Sequence, residues 1–293
     1  MTRLLDCRAI AGRYFDWVAR EVAGMRRKPR LAAILFRPQQ NPASLQYRDL
    51  IVKDAARLGV TVDSHEPQSE ESLLALVRRL NAERPVTGVM LFYPLHAAVR
   101  DEDMMDRVSP LKDVEGLHSV NLGFLVKYKR FLDEARGIKC VVPATAKAVV
   151  KTLQACPEIP IEGSLAVIVN NSMRVGKPLG LMLENLGATV VKCYDKTPRF
   201  IMENMVRRAD ILVTAVPDPS FKLDADWVKP GAAVVDVSYQ GNVDAKALEG
   251  RASFSTAPDN RIGVMTRAMI FVNLVYCARN IPLRRTARVP VLG

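Results

Sequence analysis

The residues best placed to do chemistry in this sequence lie between Ser164 and Asp195, SLAVIVNNSMRVGKPLGLMLENLGATVVKCYD. A short apolar run, Leu165 to Val169, ends in a polar loop, Asn170 to Arg174. Val175-Gly176-Lys177-Pro178 then leads into the apolar-spaced segment Leu179 to Leu186. Gly187 stops that segment, and Thr189 to Tyr194 makes a second strand-like run closed by Asp195. The pattern predicts strand, loop, helix and strand, a unit whose parallel pairing needs the crossover helix. At the helix start, free N–H groups and the positive dipole end would face the loop, which is the physics of a phosphate site. An acid ending the second strand is placed to hydrogen-bond a ribose diol. Together these features point to a dinucleotide. The loop lacks a full G-x-G-x-x-G, so an ordinary buried βαβ unit with an exposed Asp195 fits this stretch equally well.

The elements that must position this unit are those of an α/β protein. At 293 residues the chain suits one large or two ordinary domains, with ample length for a core. Apolar residues make up 49% and charged residues 25%, the balance of a soluble globular enzyme. No apolar run approaches the roughly 20 residues that a membrane span needs. Charges run through MTRLLDCRAIAGRYFDW, which has no signal-peptide core, so the expected location is cytoplasmic. The net charge of +11 would draw small polyanions, but no nucleic-acid motif or aromatic-basic interleaving accompanies it. Arg284-Arg285-Thr286-Ala287-Arg288 reads as a loose tail. Five widely spaced cysteines without C-x-x-C and three scattered histidines argue against a disulfide framework or a metal centre.

Along the chain, residues 4–28 read as a helix, Leu31 to Phe36 as a buried strand and Ser44 to Leu58 as a second helix stopped by Gly59. Val60 to Asp63 is a short strand, Glu70 to Ala82 an amphipathic helix and Val86 to Leu91 a third strand. This alternation predicts a mostly parallel sheet. Helix is expected again at Pro143 to Leu153 and Ile201 to Arg208, and strand at Ile211 to Ala215 and Ala232 to Val237. The turn Val216-Pro217 lies beside the expected cofactor edge. Thr266 to Asn280 reads as a closing helix.

Four segments, in order, resemble one family. Asn41-Pro42-Ala43-Ser44-Leu45-Gln46-Tyr47 resembles the D/N-P-A-S-x-x-Y motif of the methylenetetrahydrofolate dehydrogenase/cyclohydrolases. Pro110-Leu111-Lys112-Asp113-Val114-Glu115-Gly116-Leu117 is similar to their P-x-K-D-V-D-G-F segment, with Asn121 and Gly123 also in place. Ser172-Met173-Arg174-Val175-Gly176-Lys177-Pro178 matches the S-x-x-V-G-x-P cofactor loop, and Gly263-Val264-Met265-Thr266 resembles the G-P-M-T that opens the last helix. The resemblance implies two α/β domains around a cleft. Residues 1–140, completed by 266–293, would form an N-terminal α/β folate domain, and residues 141–265 a Rossmann-like NAD-binding domain. It also implies a homodimer acting on a tetrahydrofolate one-carbon derivative.

The departures are informative. Where the bifunctional enzymes carry a lysine needed for cyclohydrolysis, four residues after the tyrosine, this chain has Ile51; Lys53 would point off that helix face. Where they carry the glutamine that tunes that lysine, this chain has Phe92, and their pterin-contacting aspartate is Glu115 here. The same two positions are altered in the NAD-dependent branch that lacks cyclohydrolase activity. Oxidising 5,10-methylenetetrahydrofolate is a hydride transfer that needs alignment of donor and acceptor rather than a protein acid or base. Adding water to the methenyl product needs a proton-transfer group of tuned pKa. The resemblance therefore implies dehydrogenase activity without hydrolysis, and an Ile51–Phe92 wall would also keep water from the cation.

On this reading Tyr47 packs against the folate ring system and Glu115 accepts hydrogen bonds from the pterin. Their plainer roles are a core aromatic and a loop ion pair with Lys112, and Ile51 and Phe92 also suit an ordinary core. Asn171, Ser172, Arg174, Val175 and Gly176 would form the phosphate-side loop, with Asp195, Val216 and Pro217 beside it. An NADP site needs a cation for the 2′-phosphate. Asn171 stands where arginine often precedes the loop serine, and Asp195 would repel that phosphate, so NAD is favoured; Lys192 and Lys196 keep NADP open. Two alternatives stay in view: a non-catalytic folate- or partner-binding paralogue, and a dehydrogenase for another reduced pterin.

Overall fold

The computed structural model describes residues 1–256 and 262–281, so the basic stretch Arg284 to Arg288 and the end of the expected 266–293 segment lie outside the described residues. In chain order the elements are β1 (Arg3–Leu5), α1 (Cys7–Gly24), β2 (Arg30–Ile34), α2 (Pro42–Leu58), β3 (Thr61–His65), α3 (Glu70–Ala82), β4 (Gly88–Leu91), α4 (Asp101–Met105), α5 (Ser119–Val126), β5 (Phe131–Asp133) and β6 (Ile138–Lys139). They continue with α6 (Ala144–Gln154), β7 (Leu165–Val169), α7 (Gly176–Glu184), β8 (Thr189–Cys193), α8 (Arg199–Val206), β9 (Ile211–Thr214), β10 (Ala233–Asp236), β11 (Phe254–Thr256) and α9 (Gly263–Asn280). The chain forms two compact α/β units, one of Tyr14–Val142 with the residues from Ile270 onward, the other of Met1–Arg13 with Pro143–Met269.

In the first unit a parallel sheet runs in the order β3-β2-β4. Its central strand is apolar and buried from Leu31 to Ile34, as a strand with neighbours on both sides must be. α2 starts at Pro42, whose missing N–H costs nothing at that position, and Asn41 caps it by accepting the Ser44 N–H at 3.1 Å. It stops at Gly59, whose φ of 69° a side chain would resist. α3 buries Leu73, Val77 and Leu80, a one-sided stripe worth about 1.5–3 kcal/mol per side chain. Gly88 opens β4 at a point of close approach. A Cβ there would lie 2.4 Å from Val114 Cγ1 and 2.7 Å from Leu274 Cδ1.

The second unit holds a six-stranded sheet ordered β1-β11-β10-β9-β7-β8, parallel throughout. From β7 the chain passes to β8 on one side and then to β9 on the other, so the strand order reverses at β7. On the face that α8 covers, Val167, Val169, Leu212 and Val234 pack with Val206, Trp227 and Val228.

One expectation is corrected here. The helix expected over residues 4–28 begins only at Cys7, because Arg3–Leu5 pairs with β11 in register Arg3↔Phe254 to Leu5↔Thr256. Residues 1–13 group by contact with the unit of the six-stranded sheet. The closing helix is likewise divided, at Met269/Ile270. Strands of three residues carry too little pattern to stand out, and the pairing partner of β1 lies about 250 residues away.

Candidate active site

In the first unit, α2 and the end of β4 bring two of the expected residues together. Tyr47 meets Phe92 edge to face, with ring centroids 6.2 Å apart and planes at 77°. Ile51 lies one turn beyond Tyr47 on α2 and has 0% exposure, while Phe92 has 5%. Lys53 is exposed, off that buried face. The helix entry is tied to the same loop, since Asn41 donates its side-chain N–H to the Pro94 carbonyl at 3.3 Å, beside the cis Tyr93–Pro94 bond. The face of α2 that carries Tyr47 thus continues into aliphatic and aromatic carbon.

Glu115 arrives on a segment laid along β4. Val89 donates to the Lys112 carbonyl at 2.7 Å, and Val89 and Asp113 form a parallel bridge. The turn around Glu115 is built on Asp113, which is buried and accepts from Gly116 N–H at 2.8 Å, His118 N–H at 2.9 Å and Asn121 Nδ2 at 3.1 Å. Burial raises the Asp113 pKa above the usual carboxylate range, and these donors pull against it. Lys112 is also buried, its Nζ donating to the carbonyls of Leu80 at 2.6 Å and Glu83 at 2.7 Å, which closes the C-terminal end of α3. Glu115 itself is half-buried.

In the second unit the loop after β7 forms as expected, but its hydrogen bonding overturns the expectation of free helix-start donors. Val175 N–H donates to Ser172 Oγ at 3.1 Å, Gly176 N–H to Asn170 Oδ1 at 2.9 Å and Lys177 N–H to the Ser172 carbonyl at 3.1 Å. Pro178 has no N–H. The donors that a phosphate would use at the start of α7 are therefore held within the loop, because Asn170 and Ser172 supply side-chain oxygens at the right depth. α7 begins at Gly176, three residues ahead of the apolar spacing, since the close turn needs no apolar side chain. A Cβ on Gly176 would sit 2.1 Å from the Asn170 carbonyl oxygen, so glycine is required there.

Asn170 was not singled out in the sequence. Its Oδ1 also accepts from Ser172 N–H at 2.9 Å and Ser172 Oγ at 2.8 Å, and its Nδ2 donates to the Ala215 carbonyl at 2.7 Å. It thereby ties the Asn171–Gly176 loop to the Val216-Pro217 turn. The Asn-x-Ser spacing was the one local signal for such a loop. Ser172, Arg174 and Pro217 are exposed, and Asn171, Val175 and Val216 half-buried. Asp195, just past β8, is exposed and lies 3.3 Å from Lys196 Nζ. Lys192 instead lies over α7, its Nζ 3.6 Å from where a Cβ on Gly180 would be.

These loops leave the carboxyl ends of β7, β8 and β9, at the point where strand order reverses and open α/β sheets hold their ligands. Thr214, at the end of β9, is fully buried, and its hydroxyl has no partner among the described residues. Side-chain amides, hydroxyls and one exposed acid at this edge are groups of the kind a dinucleotide engages. The five cysteines are buried and free, and burial pushes the Cys7 and Cys140 thiols up to about 12, which removes them as thiolates at neutral pH. Among the described residues, no three His, Cys, Asp or Glu side chains gather as a metal ion would require. No helix there is long and apolar enough to cross a membrane.

Residues 143–281 match the family model described as tetrahydrofolate dehydrogenase/cyclohydrolase, NAD(P)-binding domain, and residues 5–115 match that of its catalytic domain. The bifunctional protein FolD of Xanthomonas axonopodis pv. citri is 34% identical over 291 residues, covering 94% of this chain and 92% of its own length. A 5,10-methylenetetrahydrofolate dehydrogenase from the silkworm Bombyx mori is 30% identical, with a TM-score of 0.84 over 96% of this chain and 99% of that one. The Trypanosoma brucei methylenetetrahydrofolate dehydrogenase-cyclohydrolase, solved with NADP and an inhibitor, is 27% identical, with a TM-score of 0.83 over 98% and 99%.

Proposed function

The chain belongs to the tetrahydrofolate dehydrogenase/cyclohydrolase family, and from that premise we propose that it oxidises 5,10-methylenetetrahydrofolate to the methenyl derivative with NAD, without the hydrolytic step. The observation that carries this reading is the Tyr47–Ile51–Phe92 face. A residue four positions after the tyrosine is fully buried and aliphatic, and the aromatic at position 92 packs on the tyrosine ring. Isoleucine and phenylalanine carry no ionisable group, so neither Ile51 nor Phe92 can shuttle protons to and from an attacking water.

Hydride transfer survives these changes. When bound, the nicotinamide ring accepts the hydride, and the product cation is stabilised by its own two nitrogens. The protein's part is alignment and exclusion of water. Tyr47 would support the ring system of the pterin, held by its edge contact with Phe92. Glu115 would accept hydrogen bonds from the pterin N–H groups, its turn held by Asp113. Ile51 and Phe92 would keep water from the methenyl carbon.

The curated relative named above is bifunctional, and the trypanosome enzyme holds NADP, so both finer assignments rest on this chain's own residues. NAD is supported by Asn171 at the loop and by the exposed carboxylate of Asp195, which suits ribose hydroxyls and repels a 2′-phosphate. Lys196 offsets that repulsion only weakly, since both groups are solvated. The test is absorbance-monitored oxidation of methylenetetrahydrofolate with NAD and NADP in parallel, followed by the decay of added methenyltetrahydrofolate. NAD-linked turnover without accelerated decay is the expected result. Turnover with neither nucleotide would sink the proposal.

A further inference from the structure

Three backbone segments leave the carboxyl edge of the six-stranded sheet side by side: from Asn170 after β7, from Ala215 after β9 and from Val237 after β10. The last strand-to-strand bonds run from Ala215 N–H to the Val169 carbonyl at 3.3 Å and from Val237 N–H to the Thr214 carbonyl at 2.8 Å, and beyond them two asparagine side chains continue the pairing. Asn242 Oδ1 accepts the Val216 N–H at 2.8 Å, and Asn242 Nδ2 donates to the Val216 carbonyl at 3.0 Å. One carboxamide therefore takes both backbone groups of a single residue, as a neighbouring strand would. From the other side Asn170 Nδ2 holds the preceding carbonyl, that of Ala215.

Asn242 is itself fixed. Asp236, the last residue of β10, accepts from Ser238 N–H at 3.0 Å, Ser238 Oγ at 2.6 Å, Asn242 N–H at 2.7 Å and Val243 N–H at 3.3 Å. Its own N–H donates to Thr256 Oγ1 at 2.9 Å. Asn242 has 2% exposure and Asp236 has 6%. Polar groups at that depth lose strongly if any bond is left unmade, which restricts this loop to one arrangement.

We propose that Asn242 is a positioning residue of the dinucleotide site, with Asp236 holding it and Asn170 bracing the same turn from the opposite side. The proposal rests on the reading that Val216 and Pro217 border the nucleotide. Asn242 touches no reacting atom. It sets the depth at which the Val216-Pro217 turn stands beside the crevice, and 26 residues separate it from the turn it holds.

The test compares Asn242→Ala with Asn81→Ala. Asn81 makes a comparable pair of backbone hydrogen bonds in the other unit, donating to the Arg107 carbonyl at 2.7 Å and accepting the Ser109 N–H at 2.9 Å. Asn242→Ala is expected to raise both the KM and the calorimetric Kd for NAD about tenfold, the scale of one or two lost hydrogen bonds. The KM for methylenetetrahydrofolate should stay within about twofold in that variant. Asn81→Ala should lower Tm and leave the NAD constants unchanged. If Asn242→Ala does not fold, Asn242→Ser replaces it, a neutral side chain too short to hold both Val216 groups, with a similar rise expected. Unchanged NAD affinity in a folded Asn242 variant would overturn the proposal and leave the dehydrogenase reading standing. Wild-type protein that binds NAD without turnover would remove that reading while the calorimetric comparison still decides the role of Asn242. Wild-type protein that binds neither nucleotide would overturn both.

Discussion

The Tyr47 face and the carboxyl edge of the six-stranded sheet are built by opposite means. Around Tyr47 the structure relies on apolar packing: Ile51 one turn away on the same helix, and Phe92 meeting the tyrosine ring. Such contacts are non-directional and tolerate exchange of one apolar side chain for another. At the carboxyl edge of the six-stranded sheet the structure relies on directed bonds, with Asn170 accepting three donors and Asp236 four. Directed networks fail when one member is lost. The lesson is that the Tyr47 face can exchange apolar side chains and remain well packed, whereas the carboxyl edge holds its shape only if its polar members are kept.

That contrast can be broken or sharpened by substitution. The largest effect is expected where a buried acceptor serves several donors. Asp113→Ala strands the N–H groups of Gly116 and His118 and the Asn121 amide, and should cost on the order of 3 kcal/mol in urea denaturation, with folate binding lost as well. Next comes Gly176→Ala, whose methyl would meet the Asn170 carbonyl at 2.1 Å. Relief of that clash should cost about 1–3 kcal/mol and weaken NAD in calorimetry by about tenfold or more. Phe92→Leu, by contrast, should lower stability by less than about 1.5 kcal/mol and leave NAD affinity alone, as befits a packing contact.

Asp195→Asn should shift the ratio of kcat/KM for NAD over NADP toward NADP by about tenfold, since it removes the repulsion of a 2′-phosphate. The smallest effect concerns Asp210, whose pKa is held below the usual carboxylate range by the Leu165 N–H at 2.8 Å and then by Lys229 at 2.5 Å. A depressed folded pKa gives stability that is present above the unfolded value and lost as pH falls through the folded one. Asp210→Asn should therefore flatten the acid side of the Tm–pH curve below about pH 4, and leave its neutral part within about 1 kcal/mol.

Legibility in the sequence followed the same division. α3 was readable to the residue, because the apolar stripe of Leu73, Val77 and Leu80 is a local signal. β7 was equally plain as an apolar run between polar turns. The strand β1 was not, since three residues gain their meaning only from Phe254–Thr256 at the other end of the chain. Of the site, Tyr47 and Phe92 were readable as residues, and their meeting follows from α2 packing on the end of β4. The occupied N–H groups of Val175, Gly176 and Lys177 were not, because helix position alone predicts open donors and only the Asn170 and Ser172 side chains close them. Asn242 was invisible for a simpler reason: its partner Val216 lies 26 residues away, and no periodic pattern marks a carboxamide that mimics a strand.

The most direct test of the account is the decay of methenyltetrahydrofolate with the wild-type protein and with an Ile51→Lys/Phe92→Gln double variant, each also assayed for NAD reduction. The account predicts that wild-type protein reduces NAD and leaves methenyl decay at the buffer rate, while a folded double variant accelerates that decay. Accelerated decay by the wild-type protein would contradict it, because some group other than those on the Tyr47 face would then be moving the protons.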